Sequence, residues 1–169
     1  MSYSLLILGA GDLGQVVAEM VTGQYDRIAF LDDNPTKEKQ ELYPVIGGLH
    51  DLEDLCKDFT HAIPAYGNTV IKDEMRKRIK ACGLIMPRII HDSAVISPSA
   101  EIGAGSIVRE GAAISRKVIV GECVLINMGV LIDHGCVIGD CSHLPMGMII
   151  RNAAHIPECS SFKPGQVLE

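Results

Sequence analysis

The chain reads as two domains of different class: a small Rossmann-like α/β domain over residues 1–88, then a parallel β-helix over 89–169. Three observations carry this. From Ile90 every sixth residue is apolar, through Ile96, Ile102, Val108, Ile114, Val120, Ile126, Ile132, Ile138, Leu144, Ile150 and Ile156 to Phe162, with no slip of phase. Glycine recurs three positions after these aliphatics, at Gly105, Gly111, Gly129, Gly135, Gly147 and Gly165. Ahead of the repeat, the chain runs apolar segment, glycine turn, amphipathic segment, apolar segment.

A short fixed period is the mark of a solenoid, and a six-residue period that of the parallel β-helix. Four residues after each aliphatic stands a mostly small one, among them Ala94, Ala100, Ser106, Ala112, Cys136, Ser142, Ala154 and Ser160. Strand alternation turns that position and the next aliphatic to the same, inward side. The glycines suit tight corners that need positive φ. Three hexads then make three faces and three corners, one coil per eighteen residues, with coils stacked about 4.8 Å apart. A β-sandwich would space its turns irregularly.

In the first domain, Leu5 to Leu8 runs into Gly9-Ala10-Gly11-Asp12-Leu13-Gly14, and Val16, Val17, Met20 and Val21 follow at helical spacing. Ile28 to Leu31 is the next strand and ends in Asp32-Asp33. Such a unit lets backbone approach a phosphate at a helix N-terminus, while an acidic residue about 20 positions on accepts from a ribose or base. Lys37 to Leu42 reads as a surface loop. Val45 to Gly48 reads as a short strand or turn before a helix near Asp51 to Cys56. His61 to Pro64 is a further strand, with Gly67 and Asn68 just past its carboxyl end, where α/β sheets bind ligands. A helix over about 68–82 shows favourable Asp73–Lys77 and Glu74–Arg78 pairs and closes at Gly83. So few strands make half of a dinucleotide fold, which argues against a dehydrogenase and for one nucleotide or nucleotide-sugar.

Composition narrows the classes further. Hydrophobics make up 47% with aromatics only 4% and no Trp, which suits a narrow core of Ile, Val and Ala. A net charge of −6 gives no reason to expect nucleic acid or an anionic membrane as partner. No segment approaches the roughly 20 apolar residues of a membrane span, and no basic, apolar leader opens the chain, so a cytoplasmic location is expected. Of six cysteines, Cys123, Cys141 and Cys159 lie eighteen apart and should stack at one corner. They read as a ladder of reduced thiols; the spacing also leaves room for redox control or metal binding, though no metal site is assigned.

His134 follows Asp133 at a corner, with Arg116 and Asn152 one coil to either side and Arg151 above Asp133. Imidazole is the side chain suited to accept a proton near neutral pH, and an adjacent carboxylate can fix its tautomer. On spacing alone a plain surface histidine is the favoured reading.

The chain as a whole resembles the bacterial sugar acyltransferases of the NeuD/PglD family. The matching residues are the Gly9–Gly14 turn, Phe30-Leu31-Asp32-Asp33, Ile89-Ile90-His91 with Ala94-Val95-Ile96-Ser97-Pro98, and Ile126-Asn127 through Asp133-His134 to Val137-Ile138-Gly139-Asp140 and Ser142-His143. The resemblance implies a left-handed β-helix that associates as a homotrimer. It implies acetyl-coenzyme A as co-substrate and a nucleotide-linked amino sugar or sialic-acid-like sugar as acceptor. On the same resemblance His134 is the general base and Asp133 orients it, and Asn127 lies beside the acceptor. His143 lies near the thioester, and the Gly147 corner borders the coenzyme path. Gly9, Gly11, Asp12, Gly14, Asp32, Asp33, Gly67 and Asn68 are the expected contacts to the nucleotide-sugar. Leu13 stands where some members carry a histidine. Members are also expected to continue for several coils beyond Gly165, which leaves a second expectation: a trimeric nucleotide-sugar-binding scaffold whose shortened β-helix has lost catalysis. Outward Leu125, Leu131 and Ile149 are expected to need cover by a neighbouring copy.

Overall fold

The computed structural model describes residues 3–34 and 42–169, so the loop expected over 37–42 lies, up to residue 41, outside the described residues. The chain divides into two compact units, Met1–Gly67 with Glu74–Pro87, and Asn68–Asp73 with Arg88–Glu169. Among the described residues no helix is long and apolar enough to cross a membrane.

The first unit is built on a four-stranded parallel sheet. Its strands are β1 (Ser4–Leu8), β2 (Arg27–Leu31), β3 (Val45–Gly47) and β4 (His61–Pro64), in the order β3-β2-β1-β4. Central β1 is apolar along its length because both faces are covered, and Leu5 to Leu8 are wholly buried. Helix α1 (Asp12–Met20) lays Gly14, Val17 and Ala18 inward, as its spacing requires. The helix expected near 51–56 is one α turn, α2 (Leu52–Leu55), between two 3₁₀ turns. Helix α3 (Thr69–Ala81) follows β4.

In the second unit each hexad aliphatic sits in a two-residue strand, and strands eighteen residues apart pair in parallel. Ile89–Ile90 (β5), Ile107–Val108 (β8), Leu125–Ile126 (β11) and His143–Leu144 (β14) form one sheet. Val95–Ile96 (β6), Ala113–Ile114 (β9), Leu131–Ile132 (β12), Ile149–Ile150 (β15) and Val167–Leu168 (β17) form the second. Glu101–Ile102 (β7), Ile119–Val120 (β10), Val137–Ile138 (β13) and His155–Ile156 (β16) form the third. This is the expected parallel β-helix, and the aliphatics from Val108 to Ile156 are its core.

From Gly105 onward its corners use positive φ, at the predicted glycines and also at Lys117, Cys123, Cys141, Ala153 and Cys159, whose φ values run from 52° to 58°. An L-residue in that region costs about 1–2 kcal/mol. The cost is offset by a bond that only this turn makes: the corner N–H donates to the preceding coil, as Cys141 N does to Glu122 O at 2.8 Å and Gly147 N to Met128 O at 2.9 Å. Buried Ser106 and Ser142 complete the turns, donating to Gly121 O at 2.8 Å and Pro157 O at 3.0 Å.

The three outer faces differ. Along the second sheet Val95, Leu131 and Ile149 are 70%, 44% and 39% exposed, as expected of outward apolar residues. Leu125 was expected to join them and does not: on the first sheet it is 2% exposed, with Ile107 and Ile89 buried beside it. Residues 68–73 pack with this unit, and Lys72 Nζ donates to Ser142 O at 3.0 Å at the start of β14. Outward positions of the three faces therefore share a sequence pattern but not an environment.

Lys72 is 1% exposed, and burial pushes its ammonium down to about 8, against the opposing pull of the Cys141, Cys123 and Cys159 thiols around it. The unfolded chain holds that proton up to an ordinary lysine value near 10.5. Between the two values the unfolded state binds more protons, so this group makes stability rise with pH from about 8 to about 10.5. Below 8 its burial penalty is present in full. Lys72→Met should therefore raise the unfolding free energy from urea melts at pH 7, by on the order of 2 kcal/mol after loss of the Ser142 bond, and lose that advantage by pH 10. A variant less stable than wild type at pH 7 would show the buried amine to be favourable instead.

Candidate functional site

At the carboxyl ends of the first unit's strands, the glycine turn is tied to β2. Gly9, at φ 102°, donates its N–H to Leu31 O at 2.8 Å. Ala10 N donates to Asp32 Oδ2 at 2.7 Å, and Asn34 N to Asp32 Oδ1 at 2.8 Å. Asp33 Oδ1 accepts from Leu49 N at 2.7 Å. Asp32 thus clasps the turn itself, and Asp33 fixes the segment after β3. Gly11 is extended and no side chain caps α1, so the first N–H groups of that helix face outward from the turn; Asp12 is exposed in its first turn. Beside these ends a cavity of about 390 Å³ is lined by Asp32, Asp33, Val45, Gly48 and His50. Gly67 lies past β4, and Asn68 Oδ1 caps α3, accepting from Val70 N at 3.0 Å and Ile71 N at 3.1 Å.

In the second unit Asp133 and His134 end β12 together. Asp133 Oδ1 accepts from His134 N at 2.7 Å and contacts His134 Nδ1 at 2.8 Å. A carboxylate can only accept, so Nδ1 carries the hydrogen and the neutral ring presents its lone pair at Nε2. Both side chains are about half exposed, so Nε2 is accessible. The bond from His134, then its backbone N–H and more weakly Arg151, hold the Asp133 carboxyl below its ordinary value. An apolar groove of about 780 Å³ runs beside the pair, floored by Val95, Ala113, Leu131 and Ile149, with Arg116 and Arg151 at its rim.

The other expected residues of this unit stand at the opposite end of β12. Asn127 occupies the corner between β11 and β12. Its Oδ1 accepts from Met128 N at 2.8 Å and Arg109 Nη1 at 3.2 Å. Gly147 is one coil on at the same corner, and His143 lies on β14, half-buried, paired with Leu125 and bridged to Ser161. One chain therefore sets Asn127 and Gly147 at one corner, with His143 on the strand that leads to it, and Asp133 with His134 at the next corner. Asn127 and Asp133 lie six positions apart, on either side of β12.

His50 and Arg109 escaped the sequence reading, and Tyr66 was read only as part of the Ala65–Asn68 stretch at the carboxyl end of β4. His50 lines the first unit's cavity, and its place just past a strand end was the available signal. The ring of Tyr66 lies where a Cβ on Gly9 would fall, at 3.0 Å. Burial, then the Asp32 and Asp33 charges, push its hydroxyl far above the usual range, so it stays protonated. Arg109 holds Asn127, and its place one coil below was the signal for it. All six cysteines are free thiols, and among the described residues no group of histidine, cysteine or acidic side chains could hold a metal.

Residues 4–79 match the family model described as the PglD N-terminal domain. Among solved structures, the acetyltransferase domain of PglB from Neisseria gonorrhoeae is 28% identical, with a TM-score of 0.81 over 98% of this chain and 91% of that one. The same domain in complex with acetyl coenzyme A gives 27% identity and a TM-score of 0.80 over 99% and 93%. PerB from Caulobacter crescentus, in complex with CoA and GDP-perosamine, shares the fold at 21% identity, with a TM-score of 0.81 over 98% and 88%. A comparison with curated proteins finds no match. The expected shortfall of several coils does not appear against these relatives, whose chains are covered almost to their full length.

A Cβ on Gly14 would lie 2.0 Å from Gly9 O and 3.0 Å from Gly9 C, backbone that cannot yield without opening the turn. Gly14→Ala should therefore cost the protein about 1–3 kcal/mol, read as a lowered melting temperature. Gly11, with φ −75°, accepts alanine without backbone strain, so Gly11→Ala should melt close to wild type. Equal melting of all three proteins would contradict this packing of turn on helix.

Proposed function

With the match of residues 4–79 to the PglD N-terminal domain model as the premise, we propose that this protein moves an acetyl group from acetyl-coenzyme A to an amine or hydroxyl of a nucleotide-linked sugar. The observation that carries the proposal is the Asp133–His134 pair, with Nε2 open beside a long apolar groove. His134 Nε2 takes the proton of the acceptor amine or hydroxyl as the acceptor's lone pair attacks the thioester carbonyl. Asp133 stabilises the resulting imidazolium and keeps the ring oriented. Donors aimed at the carbonyl oxygen stabilise the charge that gathers there. Collapse of that species expels the thiolate, which recovers the proton from His134.

The first unit binds the nucleotide part. Gly9, Gly11 and Gly14 shape the turn from which the α1 N–H groups meet phosphate, with Asp12 in the first turn, and Asp32 and Asp33 stand beside the base or ribose. Gly67 and Asn68 border the sugar. The PerB complex with GDP-perosamine supports a nucleotide-linked amino sugar as the substrate class. PglB with acetyl coenzyme A supports the donor, for which His143 and Gly147 are the contacts we assign.

The protein works as a homotrimer. On one chain Asn127, His143 and Gly147 are a whole strand away from His134, too far to act on one reacting centre. The face between these corners exposes Val95, Leu131, Ile149 and Val167, which a second copy would cover. Packing three such faces around an axis brings the His134 corner of one copy to the Asn127 corner of the next. The net charge and lack of a membrane-spanning helix among the described residues fit a cytoplasmic enzyme with a soluble sugar substrate.

A general base is worth typically about 10²–10⁴ in rate. His134→Ala should lower kcat by about that factor on a UDP- or GDP-linked amino sugar, with the acetyl-coenzyme A Kd little changed. Asp133→Asn should cost less, since it alters only the ring's support. An unchanged kcat in His134→Ala would remove the histidine from the reaction.

A further inference from the structure

Asn127 is held in one orientation by two donors. Met128 N and Arg109 Nη1 both point at Oδ1, 2.8 Å and 3.2 Å away. An amide NH₂ in that place would face two donors with none to accept, so the flip state is settled by its neighbours. Nδ2 with its two hydrogens therefore points away from the chain, and among the described residues it donates to no protein group. Arg109 is itself tightly placed. Its register on β8 sets it one coil below Asn127, its N–H donates to Ile126 O at 2.8 Å, and its side chain is 14% exposed. Glu110 clamps the guanidinium from the other side, Nε to Oε2 at 3.0 Å and Nη2 to Oε1 at 3.3 Å. Burial opposes the Glu110 charge, but its own backbone N–H and Arg109 outweigh it and keep the carboxyl below its ordinary value. The guanidinium fork thus spans two neighbours at once, and a Lys ammonium would meet that geometry only as a point charge.

We propose that Arg109 is a positioning residue for substrate selection: it turns Asn127 into a donor-only group, so that the atom of the bound substrate facing Asn127 is an oxygen acceptor and not the ammonium form of an amino group. The proposal rests on the transferase reading, in which Asn127 lies beside the acceptor sugar. Two N–H groups aimed outward reward a hydroxyl, carboxylate or carbonyl oxygen and repel –NH₃⁺. With the Oδ1 side occupied, Asn127 cannot rotate to offer its own oxygen. The side chain then discriminates by what the substrate can accept, and the arginine enforces the choice without touching the substrate.

The test is a double-mutant cycle on the full-length protein, using whichever of a UDP- and a GDP-linked 4-amino sugar the wild type acetylates. Asn127→Ala should raise the KM for the sugar about tenfold, the scale of one well-placed hydrogen bond, with a smaller change in kcat. Arg109→Met should raise it severalfold, and Arg109→Lys, which keeps a donor towards Oδ1, should restore most of the loss. Combined with Asn127→Ala, Arg109→Met should add nothing further, because its effect passes through Asn127. Asn127→Asp, which turns acceptors outward, should be worse than Asn127→Ala. Melting curves of each variant separate these effects from lost folding. Additive penalties, or an Asn127→Ala KM equal to wild type, would overturn the proposal while leaving acetyl transfer standing. A wild type that acetylates neither sugar would sink the transferase reading, and the proposal with it.

Discussion

Backbone hydrogen bonding between successive coils is the constraint on which the second unit depends. Its strands are two residues long and could not hold a register by themselves. Strand N–H groups donate to the next coil, seventeen positions on, as Ile107 N does to Val124 O, and corner N–H groups to the coil before, nineteen positions back, as Cys141 N does to Glu122 O. One inserted residue would turn every following aliphatic outward and leave a row of buried amides unpaired. That is why thirteen apolar residues keep phase without a slip, and why non-glycine residues accept positive φ at five corners. The same rigidity serves chemistry. Asp133 and His134 occupy a corner whose backbone is fixed from below and above, so the imidazole can be oriented by a carboxylate on the neighbouring residue.

How much of this was legible follows from which interactions are local. The period, the inward small residues and the glycine corners are written in sequence spacing, and the fold class came through with them. The sheet of the first unit was legible because apolar runs bounded by Gly9, Asp32 and Pro64 mark strands and their ends. The Asp133–His134 contact was legible because it joins neighbours at a repeat-defined corner. Leu125 was misread because outward positions of all three sheets look alike, and burial depends on what packs over one of them. Lys72 looked like one more cation on a charged helix, yet it is buried against Ser142, 70 residues away. Tyr66 and His50 acquire meaning only through contacts across the sheet's carboxyl edge.

Geometry also limits what a single copy can do. The β-helix holds its corners apart by the width of a face, and His143 and His134 stand on different sheets of one chain. An enzyme on such a scaffold has to bring in groups from outside the chain's own coil. The exposed apolar face between the two corners offers a route: in the proposed trimer, covering it and completing the site would be one event. In that arrangement oligomer stability and catalysis share a surface, and substitutions on Leu131 or Ile149 would disturb both.

Subunit complementation tests this arrangement most directly. His134→Ala chains lack the proposed base, while chains carrying both Asn127→Ala and His143→Ala lack the opposite corner, so each assembled alone should be nearly inactive. Co-refolded in equal amounts, roughly a quarter of the boundaries in a random mixture pair an intact His134 corner with an intact Asn127–His143 corner. The expected result is recovery of about that fraction of wild-type acetyl transfer. Activity no greater than the sum of the two parents, in mixtures shown by mass to contain both chains, would contradict a site built between copies.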